Sequence, residues 1–412
     1  MRLNSWTSGV MRWSGALALT AVLAACGGGG DDNGAGTGNV GGDGTLRVAL
    51  TDAPACGYDH VWITIEKVSV HQSSAAAEAD AGWKDLVVSP ARKVDLLALT
   101  NGVLEELGST PLPAGQYSQI RLVLASNSGT GTTTLANSIQ PTGGAVTALS
   151  TPSAQQSGLK LQAHFDVASG QMADVVLDFD ACKSIVKAGN SGQYILKPVI
   201  AVVPRVASGV SGYVATSMPL VSTTVSVQQD GAVVRSTTPD ATGKFSIPYL
   251  GTGTYTLVVA SEGHATAVVT GVTAGTTTTS INGTATAIAT PVSTMADVTG
   301  TVVVSTVSGS STVSTALTDA SVYASQVLTG GPTIAMGSQA VDATAATYRF
   351  HLPVAAPVKA AYTAGGALTF APDSAVAGKY NMQARAPGRA NIDKPADIGG
   401  GSSVTVPLAY GP

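Results

Sequence analysis

Hydrophobic and polar residues alternate with a period of two along most of the chain, which is the signature of half-buried strands. Leu46, Val48 and Leu50 alternate with Arg47, Ala49 and Thr51, and Asp52-Ala53-Pro54 ends that strand. Val61, Ile63 and Ile65 open a second strand, but Val68 and Val70 continue it on the opposite parity. A one-residue phase slip of this kind predicts a β-bulge near Glu66 and Lys67. Val94 to Leu99 reads as strand or short helix, and Asn101-Gly102 as a turn. Further alternations run through Ile120 to Leu124, Leu159 to Val167 and Val175 to Phe179. Tyr194 to Val203 is apolar on both parities, which predicts a central strand. Asp230-Gly231, set between TTVSVQQ and AVVRSTT, predicts a tight hairpin. The fold class that follows is all-β, a multidomain β-sandwich protein with at most one short helix in its first domain.

Composition supports this reading and narrows the partners. With 412 residues the chain exceeds one ordinary domain. Only 11% of residues are charged, against about 25% in a typical soluble domain. The 48 glycines cut β-branched runs into short pieces, as turns do. The formal net charge is −4 and no segment is basic, so no nucleic-acid partner is expected. Aromatic residues, at 5%, leave few platforms for stacking on sugars or bases.

The N-terminus points to the compartment. Arg2 and Arg12 give a positive start, and Ser14 to Val22 is an apolar run too short to span a membrane. Ordinary signal cleavage after Ala25 would place Leu23 where a small residue is required. Leu23-Ala24-Ala25-Cys26 instead resembles the bacterial lipobox, which implies a signal peptide over 1–25 and acylation of Cys26 with palmitate-like chains. Each buried CH₂ contributes about 0.8 kcal/mol, and more than one chain makes the lipid bilayer a stable partner. Gly27 after the cysteine resembles the pattern that implies transfer to the outer membrane. Residues 26–43 are a glycine-rich tether. Gly36-Thr37-Gly38-Asn39-Val40-Gly41 matches GxGxxG there, but without the strand and helix that a dinucleotide site needs, so no cofactor is expected.

From Gly44 to Arg205 several motifs occur in order: LRVALTDAPACGYDHVWITIEKVSV, VDLLALTNG, LPAGQYSQIRLVL, QSGLKL, VLDFDACKSIV and YILKPVI. This segment resembles the bacterial lipoprotein family of domain of unknown function 4382, which brings no known activity. Residues 206–290 contain DATGKFSIPYLGTGTYTLVVASEGH and resemble the carboxypeptidase-regulatory-like, transthyretin-like β-sandwich, with Leu250, Gly253 and Tyr255 in the pattern positions. The pattern recurs weakly over 291–412. Val298-Thr299-Gly300 echoes Val210-Ser211-Gly212, Tyr348-Arg349-Phe350 echoes Lys244-Phe245, and Gly378-Lys379-Tyr380 echoes Gly253-Thr254-Tyr255. A second, diverged sandwich is expected. Leu112-Pro113-Ala114-Gly115-Gln116-Tyr117 shares the turn, through convergent turn chemistry.

Few residues suggest chemistry. Cys56 and Cys182 remain once Cys26 is acylated, and an even pair in an oxidising compartment suggests a disulfide; two separate buried thiols are the alternative. If they pair, Asp52, Asp59, Asp178 and Asp180 gather in one region and could hold a hard cation, although a solvated or turn-capping acidic face fits them better and no metal site is assigned. His60, His71, His164, His264 and His351 are dispersed, and no HExxH, paired CxxC or GxSxG occurs, so no catalytic residue is named. Of the mature tryptophans Trp62 and Trp83, the second is the better candidate for a surface platform. The expected function is that of a membrane-anchored envelope lipoprotein, a non-catalytic interaction or structural module meeting an envelope protein or a glycan. A carbohydrate-binding lipoprotein is the alternative, and a hydrolase with an unrecognised site the weaker one.

Overall fold

The computed structural model describes residues 42–52, 57–127, 135–152, 157–308 and 311–411. The expected signal peptide (1–25), residues 26–41 of the expected tether, including Cys26, and Cys56 lie outside the described residues. The described residues form one compact unit built from strands, with a single α-helix of four residues among them.

The first module holds β1 (Gly44–Asp52), β2 (Tyr58–His71), β3 (Lys84–Asp95), β4 (Glu105–Leu112), β5 (Gly115–Leu124), β6 (Ser138–Pro141), β7 (Thr147–Ser150), β8 (Leu159–Val167), β9 (Met172–Phe179), α1 (Ala181–Ser184), β10 (Ile185–Ala188), β11 (Gln193–Leu196) and β12 (Ile200–Pro204). One sheet runs β12-β9-β1-β4, and a larger one runs β10-β11-β7-β6-β2-β5-β8 with β3 beside β2. Leu46, Leu50, Ile63, Ile65, Leu122 and Phe179 are fully buried between them. The register of β2 against both β3 and β5 shifts between Ile65 and Lys67, the bulge expected from the parity change. Val94 to Leu99 is both things at once: β3 ends at Asp95, whose carboxylate caps a 3-10 turn over Leu96–Leu99.

One expectation fails. Tyr194 to Val203 is not one central strand but β11 and β12, in different sheets. Pro198 has no N–H to give a ladder. The backbone on either side of it turns to other partners, with Lys197 N donating to Ser184 O at 2.7 Å and Val199 N donating to Ser184 Oγ at 2.8 Å.

The second module holds β13 (Gly209–Tyr213), β14 (Thr223–Gln229), β15 (Ala232–Thr237), β16 (Lys244–Pro248), β17 (Gly253–Ser261), β18 (Ala267–Ala274) and β19 (Thr278–Ser280). The third holds β20 (Met295–Ser308), β21 (Ser311–Ala316), β22 (Ser321–Val327), β23 (Thr333–Ala340), β24 (Thr347–Pro353), β25 (Val358–Ala361), β26 (Ala371–Pro372), β27 (Lys379–Arg385), β28 (Ile392–Asp397), β29 (Val404–Thr405) and β30 (Leu408–Tyr410). Asp230 and Gly231 both take positive φ, 51° and 76°, as the β14–β15 hairpin requires.

The two modules are topological copies. The second has sheets β16-β13-β19 and β15-β14-β17-β18; the third has β24, β20 and β29 in the same relation and the sheet β23-β22-β27-β28. Gly212 pairs with Phe245, and Gly300 with Tyr348. Tyr348 therefore stands where Phe245 stands, one pair out from an alignment of Phe350 with Phe245. The copies also share a strand: β25 lies parallel to β18 and extends the second module's sheet, carrying Val358 into its core. The Tyr of each L-x-x-G-x-Y turn makes one contact. Tyr117 Oη donates to Pro113 O at 3.0 Å and Tyr255 Oη to Gly251 O at 2.8 Å.

Candidate functional site

Asp52, Asp178, Asp180 and Cys182 gather at one corner of the first module. β1 and β9 run parallel with Asp52 opposite Phe179, so the TDA and DFDA motifs end side by side. Asp52 is buried, and its Oδ1 accepts from Ala181 N at 3.0 Å. Asp180 caps α1, accepting from Lys183 N at 3.0 Å, and pairs with Lys183 Nζ at 2.6 Å. Asp178 lies 3.3 Å from Arg235 of β15. Burial nevertheless pushes the Asp178 carboxyl above its ordinary range, against the attraction of Arg235 and with the Asp180 charge adding to the rise. Asp59 points elsewhere and accepts from Gly143 N at 3.1 Å.

The sequence favours turn capping over a cation site for Asp52, Asp59, Asp178 and Asp180, and three of the four accept from backbone N–H groups. Among the described residues no group of three or more His, Cys, Asp or Glu side chains is placed to hold a metal ion. These carboxylates cap backbone or pair with cations instead, which removes the repulsion a metal would have had to offset. Cys182 sits in α1, while Cys56 lies outside the described residues.

Each tryptophan has a ring face occupied. Trp62 stacks on His60, with ring centroids 4.6 Å apart, and Trp83 is covered by the Arg121 guanidinium at 4.5 Å.

A second feature was not visible in the sequence. A cleft of about 970 Å³ opens among all three modules. The first contributes Tyr58, Cys182 and the stretch Ile185 to Lys187; the second, the end of β17 with Glu262 and His264; the third, the facing edges of β23 and β24. Burial raises the Tyr58 hydroxyl to about 12, so it stays a neutral donor. At the mouth His351 Nδ1 meets Asp297 Oδ1 at 2.7 Å and its Nε2 meets Glu262 Oε1 at 3.2 Å, joining two modules through one ring. Arg349 holds the other Asp297 oxygen at 2.8 Å, and these two bonds, that of Arg349 first, keep the Asp297 carboxylate below its usual range. Both charge signs line the cleft, so it selects no net charge. No motif could have announced it, because its walls come from positions more than two hundred residues apart.

The family model for domain of unknown function 4382 matches residues 43–198. Residues 43–198 belong to that family. The carboxypeptidase regulatory-like domain matches 209–286 and supplies the second module. No curated protein matches the chain. Among solved structures, two interface mutants of a type II cohesin–X-dockerin complex from Acetivibrio cellulolyticus match at 25% and 24% identity over 21% of this chain. The match spans 58% of those chains and its TM-score is 0.18, so nothing about function follows from it. The carboxypeptidase regulatory-like domain is tied to the 4382 domain by Arg235–Asp178 and by Asn101. The Asn101 backbone N–H donates to Thr237 Oγ1 at 2.7 Å.

Proposed function

We propose that this chain is an envelope lipoprotein, anchored through acylated Cys26, whose three β-modules act without catalysis as an interaction scaffold. The order of a positive start, a short apolar run and Leu23-Ala24-Ala25-Cys26 carries the anchor. The cleft that all three modules build supports the interaction role, since a shared cleft is a common place for a partner to dock. A glycan partner gains little support from the tryptophans, each of which already has a ring face occupied. The same reading includes a Cys56–Cys182 disulfide. The pairing of Asp52, four residues before Cys56, with Phe179, three residues before Cys182, supports it.

The test has two arms. Cys26→Ala should move the protein from the membrane to the soluble fraction and abolish labelling by a palmitate analogue. The tagged wild-type protein, isolated from detergent-solubilised envelope, should bring down a stoichiometric partner. Retained membrane association and labelling in the variant would remove the anchor; a wild-type isolate free of any partner would remove the scaffold.

A further inference from the structure

Several strand edges in this molecule are closed by peptide-like groups borrowed from elsewhere in the chain. At β13, Asn282 Oδ1 accepts from Tyr213 N at 2.7 Å and its Nδ2 donates to Tyr213 O at 2.9 Å. At β23, Gln228 of the second module does the same, with Oε1 accepting from Ala335 N at 2.7 Å and Nε2 donating to Ala335 O at 2.9 Å. At β16, Asn101 of the first module accepts from Ser246 N at 2.5 Å and donates to Lys244 O at 3.3 Å. At β18 a whole strand, β25, is added. An unpaired edge is a template for another strand, so its closure from within keeps the fold to itself.

The outer edge of β24 departs from this pattern. In the third module Val302 N donates to Ala346 O and Val354 N to Thr294 O, each at 2.9 Å. That phase turns the N–H and C=O groups of Arg349 and His351 away from β20. The second module has the same phase, set by Val214 N donating to Gly243 O and Tyr249 N to Ser208 O. Arg349 therefore stands where Ser246 stands. The Ser246 N–H is held by Asn101, whereas Arg349 and His351 line the cleft. Gln339 of β23 reaches only the carbonyl, its Nε2 donating to Arg349 O at 2.5 Å. The first module approaches this copy at a different point, through Gly189 N donating to Asp342 Oδ2 at 2.9 Å.

We infer that the outer edge of β24 at Arg349 and His351 docks an extended peptide segment of a partner protein, added as a further strand inside the cleft. This rests on the interaction-scaffold reading and names its site. Backbone amides would supply the affinity, as in other cases of strand addition. Lys187, Arg349 and His351 are balanced by Glu262 and Asp342 along the walls, so the segment is one without strong charge. Met295 and Met336, adaptable side chains, give it apolar contact. β24 has seven residues, room for a segment of about four to six.

The experiment selects heptapeptides from a random phage-displayed library on the intact mature protein and measures the best synthetic peptide by calorimetry. Arg349→Pro removes an N–H that β20 does not use, at a place where an edge strand accepts proline. It should weaken binding at least tenfold, while Arg349→Ala, which keeps the N–H, should change it less than threefold. N-methylation of the peptide should cost tenfold at alternate residues and little at those between, a readout independent of how the protein variants fold. Failure to select any peptide, equal binding by folded Arg349→Pro, or indifference to N-methylation would overturn the inference. An envelope partner that Arg349→Pro still captures would place docking elsewhere and leave the scaffold reading standing; a wild-type protein that captures none would remove that reading itself.

Discussion

Asp178 on β9 and Arg235 on β15 meet at 3.3 Å across the junction of the first and second modules, with side-chain exposures of only 13% and 6%. Neither charge could be left there alone. Removing one partner of a buried pair typically costs about 3–5 kcal/mol, because the other charge stays desolvated. Arg235→Ala is expected to lose that much, and Asp178→Ala a similar amount. Replacing both by apolar residues of matching size should recover most of it. Denaturant midpoints of the two single variants and the double variant check this. Single variants within about 0.5 kcal/mol of wild type would show that the pair is solvated in solution.

Asp342 makes a pH-dependent tie between the first and third modules. Its carboxylate accepts from Ala345 N at 2.7 Å, Thr344 N at 2.8 Å and Gly189 N at 2.9 Å. The Ala345 bond is the main cause that holds it below the ordinary value of 3.8, with burial opposing. A carboxyl depressed on folding contributes stability that is present above its unfolded pKa and is lost as pH falls through its folded one. Amide exchange at Gly189, followed from pH 6 downward, should accelerate relative to the intrinsic rate only below pH 4. In Asp342→Asn that step should vanish. A step that persists in the variant would assign it to another group.

The strand pattern was legible because alternation is local: β1, the β2 bulge, β8 and the β14–β15 hairpin can all be read from adjacent side chains. The repeat was legible through Val210-Ser211-Gly212 and Val298-Thr299-Gly300, which occupy the same place in both copies. What escaped was set by distant partners. Val199 is apolar like a central-strand residue, yet Pro198 sends its backbone to Ser184. Asn101 reads as a turn residue, and with φ of 60° it is one, but its amide closes an edge more than a hundred residues away. Asp52 and Asp180 cap backbone N–H groups, as their turn positions suggest, but the partner of Asp178 escaped the sequence, because Arg235 comes from another module and nothing local reveals it.

The cysteine pair tests that corner directly. A bond from Cys56 to Cys182 closes a loop of well over a hundred residues, for which the chain-entropy model gives roughly 4–5 kcal/mol before any strain. The denatured, non-reduced protein, expressed in an oxidising compartment, is expected to show no thiol at either position. Reduction should lower the denaturation midpoint of the first module and leave the isolated unfolding of the other two unchanged. Two reactive thiols in the non-reduced protein would dismiss the bond.

Gly212 and Gly300 occupy the same position in the two copies, and the structure predicts that they tolerate alanine differently. A methyl group on Gly212 would meet Asn282 Oδ1 and the Phe245 ring, both at 2.7 Å. Each belongs to a side chain, although Asn282 also closes the β13 edge and has little freedom to retreat. On Gly300 the same methyl would come within 2.2 Å of Val406 O and 2.7 Å of the Tyr348 ring. Val406 is backbone, fixed by its own N–H donating to Thr299 O at 2.7 Å. Relief there requires β29 to move off β20. Overpacking of a tight core typically costs about 1–3 kcal/mol, which is the expectation for Gly212→Ala. Gly300→Ala should exceed it, and fast amide exchange at Val406 should accompany the loss as the C-terminal strands come away. A Gly300→Ala protein that protects Val406 as well as wild type does would show that the third module absorbs the methyl without parting its strands.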